Sequence, residues 1–296
     1  MKAYQNPEAF KQALEHRLRN QSTTGVDFGR RRQLLVFDRL LARLVEAEGD
    51  AMTLKGGLAL EIRLERARTT KDVDVRMMGS SDDLLQRLQH AGQLDLGDFM
   101  SFEMQPDRRH PDIQNEGMQY DGLRFRAECR LAGKLYGTAF GLDVAFGDPV
   151  VGDTEVIPAT DTLDFAGIAP PEIRLYPIES HLAEKLHAYT IPRERPNSRI
   201  KDLPDIALLA SHRELDAHQL RKAIETTFAF RGTHPVPGEI GFPPESWREP
   251  YAVMAKTDEL RWMTIEELTQ AVTAFLGPVL SDAKGVWNPE SWSWHE

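Results

Sequence analysis

The chain is poor in cysteine, in long apolar runs and in net positive charge, and each shortage removes a class of protein. Cys129 is the sole cysteine among 296 residues, so no internal disulfide can form, which fits a reducing cytoplasm. No stretch approaches the roughly 20 consecutive apolar residues of a membrane span, so a membrane protein is not expected. The first segment, MKAYQNPEAFKQALEHRLRN, is polar and periodic and is not read as a secretory leader. Acidic residues outnumber basic ones by 46 to 36, a net charge of −10, which argues against a protein that coats nucleic acid non-specifically. Any nucleic-acid contact is therefore expected to be local. The basic clusters available are Arg30-Arg31-Arg32, Arg63/Arg66/Arg68/Lys71 and Arg108-Arg109-His110, each of which reads equally as a solvated helix face or loop. No internal repeat or low-complexity tract is present.

What is present is ordinary globular material, 41% hydrophobic and 28% charged, with enough length for one large domain or two lobes. Phe10, Leu14 and Leu18 recur at helical spacing between Pro7 and Arg19, and a second helix is predicted from Gln33 to Glu48, closed by Gly49-Asp50. Met52 to Lys55 reads as a short strand, Gly56-Gly57 as a turn, and Leu58 to Leu64 as one or two turns of helix. Lys71 to Met77 alternates polar with apolar, the period of a half-buried strand. A helix is expected from Ser80 to His90 with Ser80 or Ser81 as cap and Leu84, Leu85 and Leu88 inward, and strand-like runs lie between Leu123 and Val150. After Val150 glycine and proline accumulate, and the lobe boundary is placed there: 1–150 and 151–296. The second lobe reads as mainly helical, over His181 to Tyr189, Leu203 to Ala210, Asp216 to Ala229 and Ile265 to Leu276, with an irregular crossing from Gly232 to Pro250. Trp287, Trp292 and Trp294 crowd the last residues and are expected to anchor that tail within the fold.

The chemistry is carried by the order of three signals: Gly56-Gly57 after a strand, Asp72-x-Asp74 on the next strand, and Asp143 in the later run LDVAF. Alternation puts Asp72 and Asp74 on one face, about 6.6 to 6.8 Å apart along the chain, with Val73 and Val75 anchoring the other face. Two carboxylates so spaced suit divalent cations, and magnesium is the ion that neutralises a triphosphate and stabilises departing pyrophosphate. Glycines let backbone N–H groups approach phosphates closely. Asp143 stands between apolar neighbours that point inward and so is expected to face the same site as a third acid. On the helix of 181–189, Lys185 sits beside the buried stripe of Leu182, Leu186 and Tyr189, where it either reaches a phosphate or pairs with Glu184 or Asp202. Arg199 and Lys201 either clamp phosphates or decorate a solvated loop. Asp202, two residues before Pro204 and three before Asp205, also looks like a helix N-cap. Glu184 and His187 form a single E-x-x-H spacing without partner glutamates, so no di-iron site is expected, and Cys129 reads as a core residue.

The segments LKGGLALEIRL, RTTKDVDVRM, GLDVAFGD, YPIESHLAEKLHAYT and RIKDLPDIALL, followed by FAFRGTHPVP and PPESWREPY, resemble in this order the AbiEii/AbiGii nucleotidyltransferase toxins, a group that includes the mycobacterial MenT toxins. The resemblance covers about residues 30 to 280. It implies an α+β architecture: a DNA-polymerase-β-like nucleotidyltransferase lobe with a small mixed sheet, joined to a mainly helical lobe. It implies Mg²⁺ or Mn²⁺, an NTP substrate, a cognate antitoxin of the DNA-binding AbiEi-like kind, and transfer of a nucleotide to RNA, in MenT-like members the 3′ end of tRNA, so that translation stops. Residue by residue, it carries the glycine turn onto Gly56 and Gly57, the metal pair onto Asp72 and Asp74, a lysine onto Lys185, a late aspartate onto Asp202 and, less closely, a third acid onto Asp143. This sequence departs from the pattern at Leu58, where many relatives have Ser or Thr; Thr69 or Thr70 would have to supply that hydroxyl. Two other readings stand beside RNA transfer: nucleotidylation of a protein side chain, and a non-catalytic nucleotide-binding partner of an antitoxin.

Overall fold

A computed structural model describes residues 4–64, 70–108, 122–193, 197 and 199–295. The helices are α1 (Pro7–Asn20), α2 (Gly25–Glu48), α3 (Gly56–Leu64), α4 (Leu84–Gly92), α5 (Ile178–Thr190), α6 (Asp202–Ala210), α7 (Ala217–Arg231), α8 (Arg248–Thr257) and α9 (Ile265–Leu280). The strands are β1 (Met52–Lys55), β2 (Val73–Met77), β3 (Met100–Pro106), β4 (Gly122–Leu131), β5 (Lys134–Leu135), β6 (Phe140–Phe146), β7 (Glu155–Pro158), β8 (Glu172–Leu175), β9 (Leu215–Asp216), β10 (Val286–Asn288) and β11 (Ser293–His295).

Eight strands make one mixed sheet in the order β3-β4-β6-β2-β1-β8-β7, with β5 paired to β4. β2 and β6 run parallel, as do β1 and β8, and the remaining pairings are antiparallel. Strand alternation splits the sheet chemically. Val73, Val75, Met77, Leu142, Val144 and Leu54 are buried on one face, packed with Leu40, Leu41 and Leu44 of α2, Leu84 and Leu88 of α4, and Phe10 and Leu14 of α1. The opposite face is left with Lys55, Asp74, Asp143 and Arg124. Beneath the sheet's apolar side, Arg39 and Arg43 of α2 enclose a fully buried Asp98, with Arg43 donating to Asp98 Oδ1 at 2.6 Å and Arg39 to Oδ2 at 2.6 Å.

Local chemistry sets the boundaries. Asn6 caps α1, its side chain accepting from Glu8 and Ala9 N–H, and Pro7 takes the first helical position, where its missing N–H costs nothing. α2 begins eight residues earlier than the periodicity from Gln33 predicts, because Thr24 caps it through the Asp27 N–H; Gly25, Gly29 and Arg30 to Arg32 hide the apolar repeat there. α4 begins at Leu84, and neither Ser80 nor Ser81 caps it: Asp83, at φ 58°, precedes it, while Ser80 Oγ accepts from Asp82 N–H in a turn. Leu84 and Leu88 are buried as expected, whereas Leu85 is half-buried.

Beyond Val150 the structure differs from the loop-rich expectation. β7 and β8 join the main sheet, β8 lying parallel to β1 with Leu175 opposite Leu54, so the first core continues to Leu175 and the second, apart from Leu60, begins at Ile178. The change in composition at 150 marks a switch to short, Pro-flanked strands; the sheet itself continues past it. The second core gathers α5, α6, α7, α8 and α9 together with Leu60 of α3. The crossing from Gly232 to Pro250 is irregular up to Pro244, after which a turn of 3₁₀ helix leads into α8. The tail closes on this core: the indole N–H groups of Trp287, Trp292 and Trp294 donate to the carbonyls of Ala210, Ala271 and Phe275 at 2.8, 3.1 and 2.8 Å. The buried indole of Trp287 and the partly buried ones of Trp292 and Trp294 thus each keep a hydrogen-bond partner, which burial of a polar ring requires. No helix among the described residues is long and apolar enough to cross a membrane.

A candidate nucleotidyl-transfer site on the polar face of the sheet

β1 ends in Lys55 and α3 starts at once with Gly56, whose φ of 66° lies in the left-handed region. A Cβ at this position would stand 2.0 Å from Asp74 Oδ2, so the Asp74 carboxylate occupies the room a side chain would need. Gly57 follows in the buried first turn of α3. Leu58 is 1% exposed and belongs to the sheet's core, which accounts for an apolar residue where a hydroxyl was expected. Thr70 directs its hydroxyl to the Asp72 carbonyl at 3.1 Å, and Thr69 lies outside the described residues.

The register brings the acids together. Asp74 on β2 is the direct partner of Asp143 on β6, and across the other edge Lys55 on β1 is the direct partner of Asp74. Residues directly opposite share a face, so Lys55, Asp74 and Asp143 form one row. Asp72 lies just before β2, exposed, with Oδ1 accepting from Gly141 N–H at 3.2 Å. Gly141 has no side chain to spare for this contact: a Cβ would meet Asp72 Oδ1 at 2.8 Å. Burial pushes the Asp74 carboxyl up to about 6, and the neighbouring charge of Asp143 adds to that rise. Lys55 and Lys185 act on the same group in the opposite direction, which places Lys185 within electrostatic reach of Asp74.

Hard carboxylate oxygens crowded on one face, one of them made less acidic by burial and by the charge of Asp143, are the donor set a divalent cation relieves. In kind and in face the residues fit Mg²⁺ or Mn²⁺. The expected three-acid set is not closed, however. Asp143 is held by Arg124 of β4, which donates from Nε to Oδ1 at 2.7 Å and from Nη2 to Oδ2 at 2.5 Å. Among the described residues, no group of three or more His, Cys, Asp or Glu side chains is arranged to hold an ion.

Lys185 comes from the second lobe. Its Nζ lies 2.7 Å from Asp205 Oδ2 and 3.2 Å from Asp202 Oδ1, both on the first turn of α6. Asp202 therefore pairs with Lys185 and does not cap the helix: Lys201 stands at the cap position without a side-chain capping bond, and the second oxygen of Asp202 is buried with no hydrogen-bond partner among the described residues. Arg199, half-buried, and Lys201, exposed, directly precede α6. The basic clusters are mostly neutralised by neighbours: Arg30 by Glu61, Arg31 by Asp27, Arg32 by Glu15, and Arg63 by Glu155 and the Tyr176 carbonyl. Arg66, Arg68, Arg109 and His110 lie outside the described residues.

The reading from sequence did not include a buried ion network behind the acids. Lys55 Nζ donates to Asp148 Oδ2 at 2.7 Å and to Glu184 Oε1 at 2.9 Å, and Arg231 of α7 approaches both acids, at 3.8 and 3.5 Å. Burial opposes ionisation of Glu184, but Lys55 and Arg231 together hold its carboxyl below the usual range. Since Lys55 and Asp148 belong to the sheet lobe and Glu184 and Arg231 to the helices, this network joins the two cores immediately beside Lys185. Deeper in the helical core, Thr233 bridges His187 and His234, and burial, with the charge of Arg231, drops His187 to about 3, so its ring is neutral at neutral pH.

A family model described as the nucleotidyl transferase AbiEii toxin of type IV toxin–antitoxin systems matches residues 39–280. Among solved structures, the chain is similar to MenT4, a nucleotidyltransferase toxin from Mycobacterium tuberculosis H37Rv, with TM-score 0.61, 16% identity, and 95% of this chain and 92% of that one covered. It is also similar to JHP933 from Helicobacter pylori, with TM-score 0.47, 18% identity, and 84% and 93% covered. At 16% identity the likeness to MenT4 speaks for the fold alone, a nucleotidyltransferase α+β fold. No curated protein matches the sequence.

Proposed function

Because the chain belongs to the AbiEii nucleotidyltransferase toxin family, we propose that it transfers a nucleoside monophosphate from an NTP to an RNA acceptor, the 3′ end of tRNA, and that this arrests translation. The observation that carries the reading is the row of Asp74 and Asp143 in direct register, with Asp72 beside it and Lys185 acting on Asp74 from the helical lobe. In this reading Asp72 and Asp74, with Asp143, hold Mg²⁺ or Mn²⁺. When bound, such an ion neutralises the triphosphate and stabilises the pyrophosphate that leaves. Lys185 holds a β- or γ-phosphate as a point charge, kept in place by Asp202 and Asp205. Gly56 and Gly57 allow the phosphates close to the backbone, and Arg199 and Lys201 contribute charge at the start of α6. The acceptor hydroxyl oxygen bonds to the α-phosphorus as the bridging oxygen departs with pyrophosphate, and the hydroxyl proton passes to water.

A toxin of a type IV pair has a cognate antitoxin, and the DNA-binding AbiEi-like kind is the partner expected here. The test is incubation of the purified protein with α-labelled NTPs, Mg²⁺ and total tRNA. Label on RNA, lost in Asp72→Ala, supports the reading. Label that survives RNase and runs with protein would favour nucleotidylation of a side chain. Nucleotide binding without transfer to any acceptor would mark a non-catalytic partner of an antitoxin.

A further inference from the structure

Three neighbouring strands each place one charged side chain on the same patch of the polar face. Arg124 of β4 is the direct partner of Asp143 on β6, which is the direct partner of Asp74 on β2. The fork of Arg124 uses both oxygens of Asp143, and among the described residues Asp143 is its one hydrogen-bonded partner. The other cations of the site are tied elsewhere. Lys55 is buried between Asp148 and Glu184, and Lys185 is seated between Asp202 and Asp205. Arg124 alone among these three is paired with an acid that the proposed ion would itself need. Its side chain is 40% exposed, so its guanidinium is not locked in place by packing.

We propose that Arg124 is the resident cation of the metal-free site, holding Asp143 until a divalent ion takes those oxygens, and that the released guanidinium then binds a phosphate of the incoming NTP. This rests on the nucleotidyltransferase reading of the site. The charge argument is direct. A doubly charged ion among Asp72, Asp74 and Asp143 both competes for the carboxylate and repels the guanidinium. The triphosphate that follows restores an anion on the same face, and a planar fork matches phosphate oxygens as well as it matches a carboxylate. β4 is anchored by β3 on one side and β6 on the other, so the backbone of Arg124 stays where it is and only the side chain turns.

The signature is a pair of effects of opposite sign. Mn²⁺ binding to the nucleotide-free protein, followed by the electron-paramagnetic-resonance signal of free Mn²⁺, is expected to tighten about tenfold in Arg124→Gln, because a competing charge-assisted pair is gone. Binding of the α,β-methylene analogues of the four NTPs with Mg²⁺, by calorimetry, is expected to weaken about tenfold in the same variant. Arg124→Lys, which keeps the charge but not the fork, should fall between Arg124→Gln and the parent in both assays, and Asp143→Asn should weaken Mn²⁺. A side chain that merely props the sheet would weaken both ligands. Mn²⁺ affinity unchanged or reduced in both Arg124 variants overturns the proposal, and tighter Mn²⁺ with unchanged nucleotide binding overturns its second half. If the parent protein takes up neither Mn²⁺ nor any analogue, the transferase reading fails along with it.

Discussion

Replacing Gly56 by alanine tests whether the carboxylate row depends on the bare backbone at the start of α3. Two costs follow from the structure. The backbone must keep a φ of 66°, which strains an L-residue by about 1 to 2 kcal/mol. The new methyl would also stand 2.0 Å from Asp74 Oδ2, 2.6 Å from its Cγ and 2.8 Å from its Cβ. Ordinary contact begins near 3.4 Å, so the carboxylate must retreat by about 1.4 Å. A displacement of about 1 Å in a group that orients the reaction is enough to cost on the order of a hundredfold in rate. Gly133 supplies the control. Its φ is 71° and nothing lies within 4 Å of its notional Cβ, so Gly133→Ala carries the same backbone strain with no contact to the site. Both variants should melt about 2 to 8 °C below the parent, the shift that 1 to 2 kcal/mol produces in a chain of this size. Only Gly56→Ala should lose transfer of α-phosphate label from NTP, by about a hundredfold or more, and Mn²⁺ affinity with it. Equal transfer rates in the two variants would show that Asp74 does not need the position it holds, and the reasoning from the glycine would fail.

Three further outcomes follow. Asp38 of α2 is buried, accepts from the Thr160 hydroxyl and is pushed up to about 7, mainly by that burial. Its contribution is therefore greatest below the ordinary carboxylate range and is lost as pH rises toward 7. The loss is on the order of 4 kcal/mol, and the difference in denaturant-unfolding free energy between the parent and Asp38→Asn should grow accordingly from pH 4 to pH 7.5. Asp98 behaves oppositely: although burial opposes its ionisation, Arg43 and Arg39 hold its carboxyl below the usual range, so its support fades as pH falls. Asp98→Ala strands two buried guanidinium groups and should cost about 3 to 5 kcal/mol in the same measurement at neutral pH. Lys185→Gln removes a charged contact to the triphosphate and should raise the KM for NTP by about 10- to 100-fold in the labelling assay, and an unchanged KM would release Lys185 from that role.

What was legible in the sequence is what local periodicity encodes. The strand before the glycines, the alternation that puts Asp72 and Asp74 away from Val73 and Val75, and the helices carrying Lys185 and Asp202 all follow from neighbours within a few residues. β3 carries the same kind of local signal, since Met100, Phe102 and Met104 alternate with polar residues. β7 and β8 gave no such signal. They are four residues each, flanked by proline, and become strands because β1, more than 100 positions earlier, offers β8 an edge. The ion network is hidden for the same reason: Lys55 meets Asp148 and Glu184 across 93 and 129 residues. Arg124 was visible only as a polar position in a strand-like run, and its pairing with Asp143 depends on the register of two strands, which composition does not fix.

The start of α6 shows how a local reading and a tertiary one can diverge on the same residues. Asp202-Leu-Pro-Asp205 has the look of a helix start, and it is one, with both acids in the first turn, where the helix dipole favours negative charge. Yet neither acid caps the backbone. Both turn to Lys185 on the preceding helix, so the dipole that stabilises the two carboxylates also stabilises, through them, the ammonium group they hold. Two acids hold the Lys185 ammonium in place, at 2.7 and 3.2 Å. Lys55 is likewise held by two acids, but its side chain is 9% exposed against 16% for Lys185, and the Tyr176 ring stands 5.1 Å from its ammonium. On the proposed reading Lys185 meets the phosphates of the ligand, while Lys55 ties the sheet core to the helical core through Asp148 and Glu184.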